Sequence, residues 1–178
     1  MSEVLPVVYI ARHGETAWSL SGQHTGLTDL PLTPNGERNA RRLGERLKDQ
    51  TFAKVFASPL QRASRTCELA GFGAVAEIDP DLVEWNYGQY EGRRSADIRA
   101  ARPDWQLFRD GCPGGESLAQ IGERHFIRVM AARWLGLGPG SAGKYFALTT
   151  ASLSALSYEH SLCQPVIQLW NDDHHVVA

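Results

Sequence analysis

Residues 4–14 read VLPVVYIARHG, an apolar run that stops abruptly at Arg12, His13 and Gly14. An unbroken run of this kind suits a strand buried on both faces, which a parallel sheet supplies. Thr33 and Pro34 then provide an N-cap and a first helical residue. Leu43 and Leu47, four apart in the otherwise charged RNARRLGERLKDQ of 38–50, share one face of that helix. AKVFA at 53–57 is a second short apolar strand, and Ser58-Pro59 opens a second helix that runs to Gly71. Strand, helix, strand, helix in this order predicts an α/β fold with crossover helices and a parallel sheet. Further on, the pattern predicts a short strand at 78, short helices at 95–101 and 103–109, and one helix over 116–135 with Val129 and Ala132 on its apolar stripe. Late strands follow at 153–158 and 166–170, with a turn at 163–165 and a frayed polar tail from 171.

The composition narrows the function. The chain has 178 residues, a formal charge of -2 and 43% hydrophobic residues, which fits one globular domain rather than a disordered chain. This charge balance gives no reason to expect nucleic acid or an anionic membrane as partner. No apolar stretch reaches the ~18–20 residues of a membrane span. The N-terminus lacks the basic region of a signal peptide. Cys67, Cys112 and Cys163 are widely spaced and form no C-x-x-C pair, so reduced thiols in a cytoplasmic protein are expected, not disulfides or a zinc site. His174 and His175 beside Asp172 and Asp173 lie in a polar tail with no second ligand cluster, so no metal is expected there. Nothing in the sequence argues against a homo-oligomer.

The chemistry concentrates where strands end. The carboxyl end of a sheet strand is where α/β folds bind ligands. Arg12 offers a planar fork of donors suited to phosphate oxygens. A neutral His13 imidazole is a nucleophile for phosphorus, and Gly14 allows a sharp turn. Arg62 lies in the first turn of the helix after the second strand, whose N-terminus favours an anion. Glu84 stands beside Trp85 and Tyr87, where partial burial would raise its pKa and let it hold a proton for a leaving oxygen. Each of these has an ordinary structural reading as well: a solvated arginine, a capping histidine, a loop glutamate beside core aromatics.

Taken together, ARHGETAW at 11–18, SGQHTGLTDLPLTPNGE at 21–37, SPLQRASRTCEL at 58–69, DLVEWNYGQYEG at 81–92 and CPGGES at 112–117 resemble the histidine phosphatase (phosphoglycerate mutase-like) superfamily. The detail is most similar to its sedoheptulose-1,7-bisphosphatase-like branch. The resemblance implies a three-layer α/β sandwich, its mostly parallel sheet flanked by helices. It implies a single domain over 1–178 with a small helical cap at about 88–112. It also implies a two-step phosphoryl transfer without metal or cofactor, acting on a small phosphorylated metabolite, a sugar phosphate. His13 would carry the phosphoryl group, Arg12 and Arg62 would clamp its oxygens, and Glu84 would act as acid and then base. His24, Thr25, Gly26, Trp85, Tyr87 and Arg128 would contact substrate.

The family pattern further implies a second histidine at the end of a later apolar strand. Between Ser117 and His125 there is no apolar run for such a strand. His125 matches the last position of that motif rather than the catalytic one, and its place on a helical stripe predicts a core residue. The expected sheet therefore lacks one central strand, and the expected clamp lacks one imidazole. A phosphoglycerate mutase and an impaired phospho-ligand binder stand as the alternative functions.

Overall fold

The computed structural model describes residues 5–117, 119–120, 127–138 and 143–176. The elements are β1 (Val8–Ala11), α1 (Ala17–Ser21), α2 (Pro34–Leu47), β2 (Val55–Ala57), α3 (Gln61–Leu69), β3 (Ala76–Ile78), α4 (Ser95–Ala101), α5 (Leu107–Asp110), α6 (Ile127–Trp134), β4 (Leu153–Tyr158) and β5 (Pro165–Asp172). The fold is α/β.

Local chemistry places the helices. Thr33 caps α2 by accepting from the Gly36 N–H at 3.0 Å, with Pro34 in the first turn, as its sequence predicts. Leu43 and Leu47 face inward and meet Leu153 of β4, with Phe52, Phe72 and Leu169 packed around them. The second helix starts later than expected, at Gln61 rather than just after Ser58-Pro59. Its first turn is capped from outside: Asp29 Oδ1 accepts from the Gln61 N–H at 2.8 Å. A second core joins Trp85, Tyr87, Tyr90, Ile98, Trp105, Cys112 and Val129 beneath α4 and α5. Here the short helix expected at 103–109 is confined to α5.

The sheet departs from expectation. Among the described residues the strands form a three-stranded sheet, β1-β4-β5, and a separate pair, β2-β3. Both pairings in the larger sheet are antiparallel, and only β2 with β3 is parallel. The single, mostly parallel sheet expected is thus replaced by an antiparallel sheet and a separate parallel pair. The cause is connectivity: β4 and β5 are joined by the tight turn at 159–164, which forces antiparallel pairing, and β1 takes its place on the other edge of β4. β1 is accordingly an edge strand in this sheet, with Tyr9 37% exposed, rather than a strand buried on both faces. β4 is the buried central strand; Leu153, Ala155 and Leu156 are all at or below 3% exposure. Of the single helix expected over 116–135, Glu116 and Ser117 are non-helical, 119–120 and Ile127–Trp134 are helical, and 121–126 lie outside the described residues. His125 lies outside the described residues. The tail is less frayed than expected. Asn171 and Asp172 belong to β5, Arg46 pairs with Asp172, and the His175 ring nitrogen meets the Ala151 carbonyl at 2.7 Å.

Leu43 is 1% exposed at the seam between α2 and β4. Leu43→Ala should lower the unfolding free energy by ~2–5 kcal/mol in urea titrations. A loss below about 1 kcal/mol would mean that this seam does not carry the packing described.

Candidate active site

The turn after β1 builds the site. The Arg12 N–H donates to the Ser152 carbonyl at 3.1 Å, and the His13 carbonyl accepts from the Ala151 N–H at 2.9 Å, so the β1 edge of β4 carries the chain up to His13. Gly14 then turns in a space no side chain fits: a Cβ there would lie 2.5 Å from the Gly36 carbonyl oxygen of α2. Its N–H donates to Thr66 Oγ1 of α3 at 2.9 Å.

His13 and Arg12 line a cleft of about 1010 Å³ together with Ser19, Gln23, His24, Thr25, Glu84, Tyr87, Ser95, Arg99 and Arg128. His13 Nδ1 lies 2.7 Å from the Gly14 carbonyl oxygen. A carbonyl only accepts, so the proton sits on Nδ1 and the lone pair on Nε2. Burial first, then the charge of Arg12 and that of Arg62, lower the His13 pKa to about 3. The imidazole is neutral throughout the physiological range.

Glu84 is shifted the opposite way. Burial raises its pKa to about 7, against the Trp85 N–H, which donates to Oε1 at 2.9 Å, and against Arg12, Arg62 and Arg128. A carboxyl group poised there exchanges a proton near neutrality. Burial also lowers the Arg12 pKa, countered by Glu84. Arg12 Nη1 is fixed on the Leu148 carbonyl at 2.6 Å. Tyr87, also buried, keeps its hydroxyl protonated, its pKa raised by burial and then by Glu84.

The structure brings His13, Arg12, Glu84, His24, Thr25, Tyr87 and Arg128 to this one cleft. Three other expected site residues are not part of its lining. Arg62 is 2% exposed and spends three donations on the loop at 24–28: Nη1 to the Thr28 carbonyl at 3.0 Å, and Nη2 to those of Gly26 at 2.7 Å and Thr25 at 3.4 Å. Its charge still bears on both His13 and Glu84. Trp85 is not a cleft residue but core, 2% exposed, stacked 5.5 Å from Tyr87, with its indole N–H on the Glu116 carbonyl. An indole that finds both an apolar partner and a carbonyl is satisfied inside. Gly26 serves as a close approach, since a Cβ there would lie 2.0 Å from the Trp85 carbonyl oxygen. His24 stacks on Tyr87 at 4.7 Å and pairs with Ser95 Oγ at 3.1 Å. Burial lowers its pKa, with Glu91 opposing and Arg99 adding to the shift. Sequence reasoning missed Ser95 and Arg99, which α4 delivers to the cleft. The signal for them would have been the helical face that Ser95 and Arg99 share at four-residue spacing.

The comparisons with known proteins identify the family. The sequence profile of the histidine phosphatase superfamily (branch 1) matches residues 8–126. An acid phosphatase of Mycobacterium tuberculosis is 37% identical, the match covering 87% of this chain and 88% of that protein. The sedoheptulose 1,7-bisphosphatase of Saccharomyces cerevisiae is 36% identical over 78% of this chain and 70% of its own length. Among solved structures, that of open reading frame Rv3214 of Mycobacterium tuberculosis superposes with a TM-score of 0.87 at 34% identity, covering 94% of this chain and 98% of the other.

The opposed shifts of His13 and Glu84 make stability depend on pH in two directions. Folded Glu84 keeps a proton that the unfolded chain releases near the ordinary glutamate value of 4.5, so its contribution declines as pH rises from 4.5 towards about 7. Folded His13 refuses a proton that the unfolded chain accepts below 6.5, so its contribution declines as pH falls from 6.5 towards about 3. Urea unfolding at a series of pH values should show Glu84→Gln gaining on the wild type as pH rises through the first window. His13→Gln should gain on it as pH falls through the second. Parallel curves for all three proteins would contradict the assigned shifts. With the neutral His13 imidazole, Arg12, Arg128 and the Glu84 carboxyl group lining one cleft, and with these relatives, the protein belongs to the histidine phosphatase superfamily, branch 1, and is a phosphatase.

Proposed function

We propose that the chain hydrolyses phosphomonoesters of a small phosphorylated metabolite, of the sugar phosphate class, through a phosphohistidine at His13. The observation that carries this reading is the His13 imidazole, neutral, with Nδ1 tied to the Gly14 carbonyl and sharing its cleft with Glu84. In the first step Nε2 of His13 bonds to phosphorus as the ester P–O bond breaks. The departing alkoxide takes the proton of Glu84. In the second step the Glu84 carboxylate takes a proton from water, whose oxygen bonds to phosphorus as the N–P bond breaks. Inorganic phosphate leaves, and both side chains return to their starting states. Arg12, Arg62 and Arg128 balance the charge that gathers on the phosphoryl oxygens. The sugar phosphate assignment draws on the bisphosphatase relative and on the polar lining from Ser19, Gln23, Ser95 and Arg99, which suits hydroxyl groups.

A second reading, a phospho-ligand binder without turnover, draws on one observation. Apart from His13, the imidazole lining the described cleft is His24, and its partners are Ser95 and Tyr87, not the arginines around His13. A mutase would instead return the phosphoryl group to another hydroxyl of the metabolite.

Acid-quenched reactions with labelled sugar phosphates separate the three. The proposal expects acid-labile label on the wild type, inorganic phosphate as product, and a rate at least ~10³-fold below wild type in His13→Ala. Ligand-induced thermal stabilisation by vanadate with hydrolysis no faster than His13→Ala would favour the binder. Isomeric phosphoesters in place of inorganic phosphate would favour the mutase.

A further inference from the structure

Three residues of one loop are held from two sides. Glu91 Oε1 accepts from the Gly26 N–H at 2.8 Å and from the Thr28 N–H at 3.1 Å. The carbonyls of these same two residues accept from the Arg62 guanidinium, and that of Thr25 just before them completes the set. Gly26 and Thr28 are therefore each gripped by a carboxylate at the N–H and by a guanidinium at the C=O. No slack remains at Gly26, where a Cβ would meet Trp85 O at 2.0 Å and Glu91 Oε2 at 2.8 Å.

We infer that Glu91 is a positioning residue for Arg62: it fixes the loop at 24–28, and the loop carbonyls hold the guanidinium in one place. The inference rests on the reading of Arg62 as a phosphoryl ligand. Two observations favour this role over simple loop packing. Oε2 of Glu91 is buried with no hydrogen-bond partner among the described residues, an arrangement that hydrogen bonding alone would not select. A loop needing only two acceptors would be served as well by an amide or hydroxyl. The charge of Glu91 also acts on Arg62 itself, after those of Glu84 and Asp29. The donor count agrees. Three of the five N–H groups of this arginine are taken by the loop carbonyls, so the loop sets where the guanidinium sits. A guanidinium tied at three donors keeps its charge at one fixed place beside His13 and Glu84, which is what transition-state stabilisation needs.

The test is a double-mutant cycle between Glu91 and Arg62, read as kcat/KM for fructose 6-phosphate and as the Kd for vanadate, with melting temperature recorded for each protein. Glu91→Ala should lower kcat/KM by ~10–100-fold and weaken vanadate binding in step, because a donor misplaced by about 1 Å loses most of its value. Glu91→Gln, which keeps the shape and one acceptor, should fall between Glu91→Ala and wild type and guards against a misfolded alanine variant. In an Arg62→Ala background either substitution should change kcat/KM by less than about 3-fold, because the group it positions is gone. If the Glu91 effect persists in full in that background, or is missing in the wild type, Glu91 does not act through Arg62. If Arg62→Ala by itself costs nothing, Arg62 is not a phosphoryl ligand; the assignment of Arg62 above and this inference then fall together, leaving His13 and Glu84 untouched.

Discussion

The proton on Nδ1 of His13 is the constraint on which the site turns. As long as it stays on the Gly14 carbonyl, the Nε2 lone pair points away from the backbone and the ring is uncharged. The bond depends on the turn, and the turn depends on two helices. α2 sits so close that neither Gly14 nor Gly36 has room for a Cβ, the latter meeting the Glu15 carbonyl oxygen at 2.2 Å. α3 accepts the Gly14 N–H on Thr66, whose own hydroxyl donates to the Arg62 carbonyl at 2.7 Å. Glu15 ties the same turn to the α2 cap, accepting from Thr33 Oγ1 at 2.6 Å. His13, the helix cap and the Arg62 backbone are thus one hydrogen-bonded unit.

Electrostatics then divide the labour. His13 and Glu84 are enclosed by much the same protein, and desolvation penalises the charged form of each. For a base this lowers the pKa and for an acid it raises it, so one burial yields a nucleophile without a proton and a carboxyl group that can lend one. The arginines sharpen the first effect and restrain the second. That restraint keeps Glu84 near neutrality, where it exchanges a proton in both directions.

Some of this was legible in the sequence and some was not, for physical reasons. Thr33-Pro34, the helix at 95–101 and the strand at 153–158 were readable because caps, periodicity and short apolar runs are local properties. The direction of β1 was not. Its apolar run fits either pairing, and the partner that decides it, Leu153–Tyr158, lies more than a hundred residues away in the chain. His13, Arg12 and Glu84 announced themselves as chemistry-bearing side chains at predicted strand and loop ends. The place of Trp85 is not legible, because an aromatic beside a carboxyl group can face either way, and the Glu116 carbonyl and the Tyr87 ring hold it in the core. Glu91 was passed over because its partners are backbone N–H groups, which leave no mark on a sequence.

The protonation of one ring tests the account most directly. Nitrogen-15 NMR of the protein, with His13 assigned by comparison with His13→Gln, reports both ring nitrogens between about pH 5 and 8. The account predicts a protonated Nδ1 and a bare Nε2 across the whole range, with no titration. An imidazolium appearing as pH falls through its ordinary range near 6.5, or a proton on Nε2 at neutral pH, would contradict it.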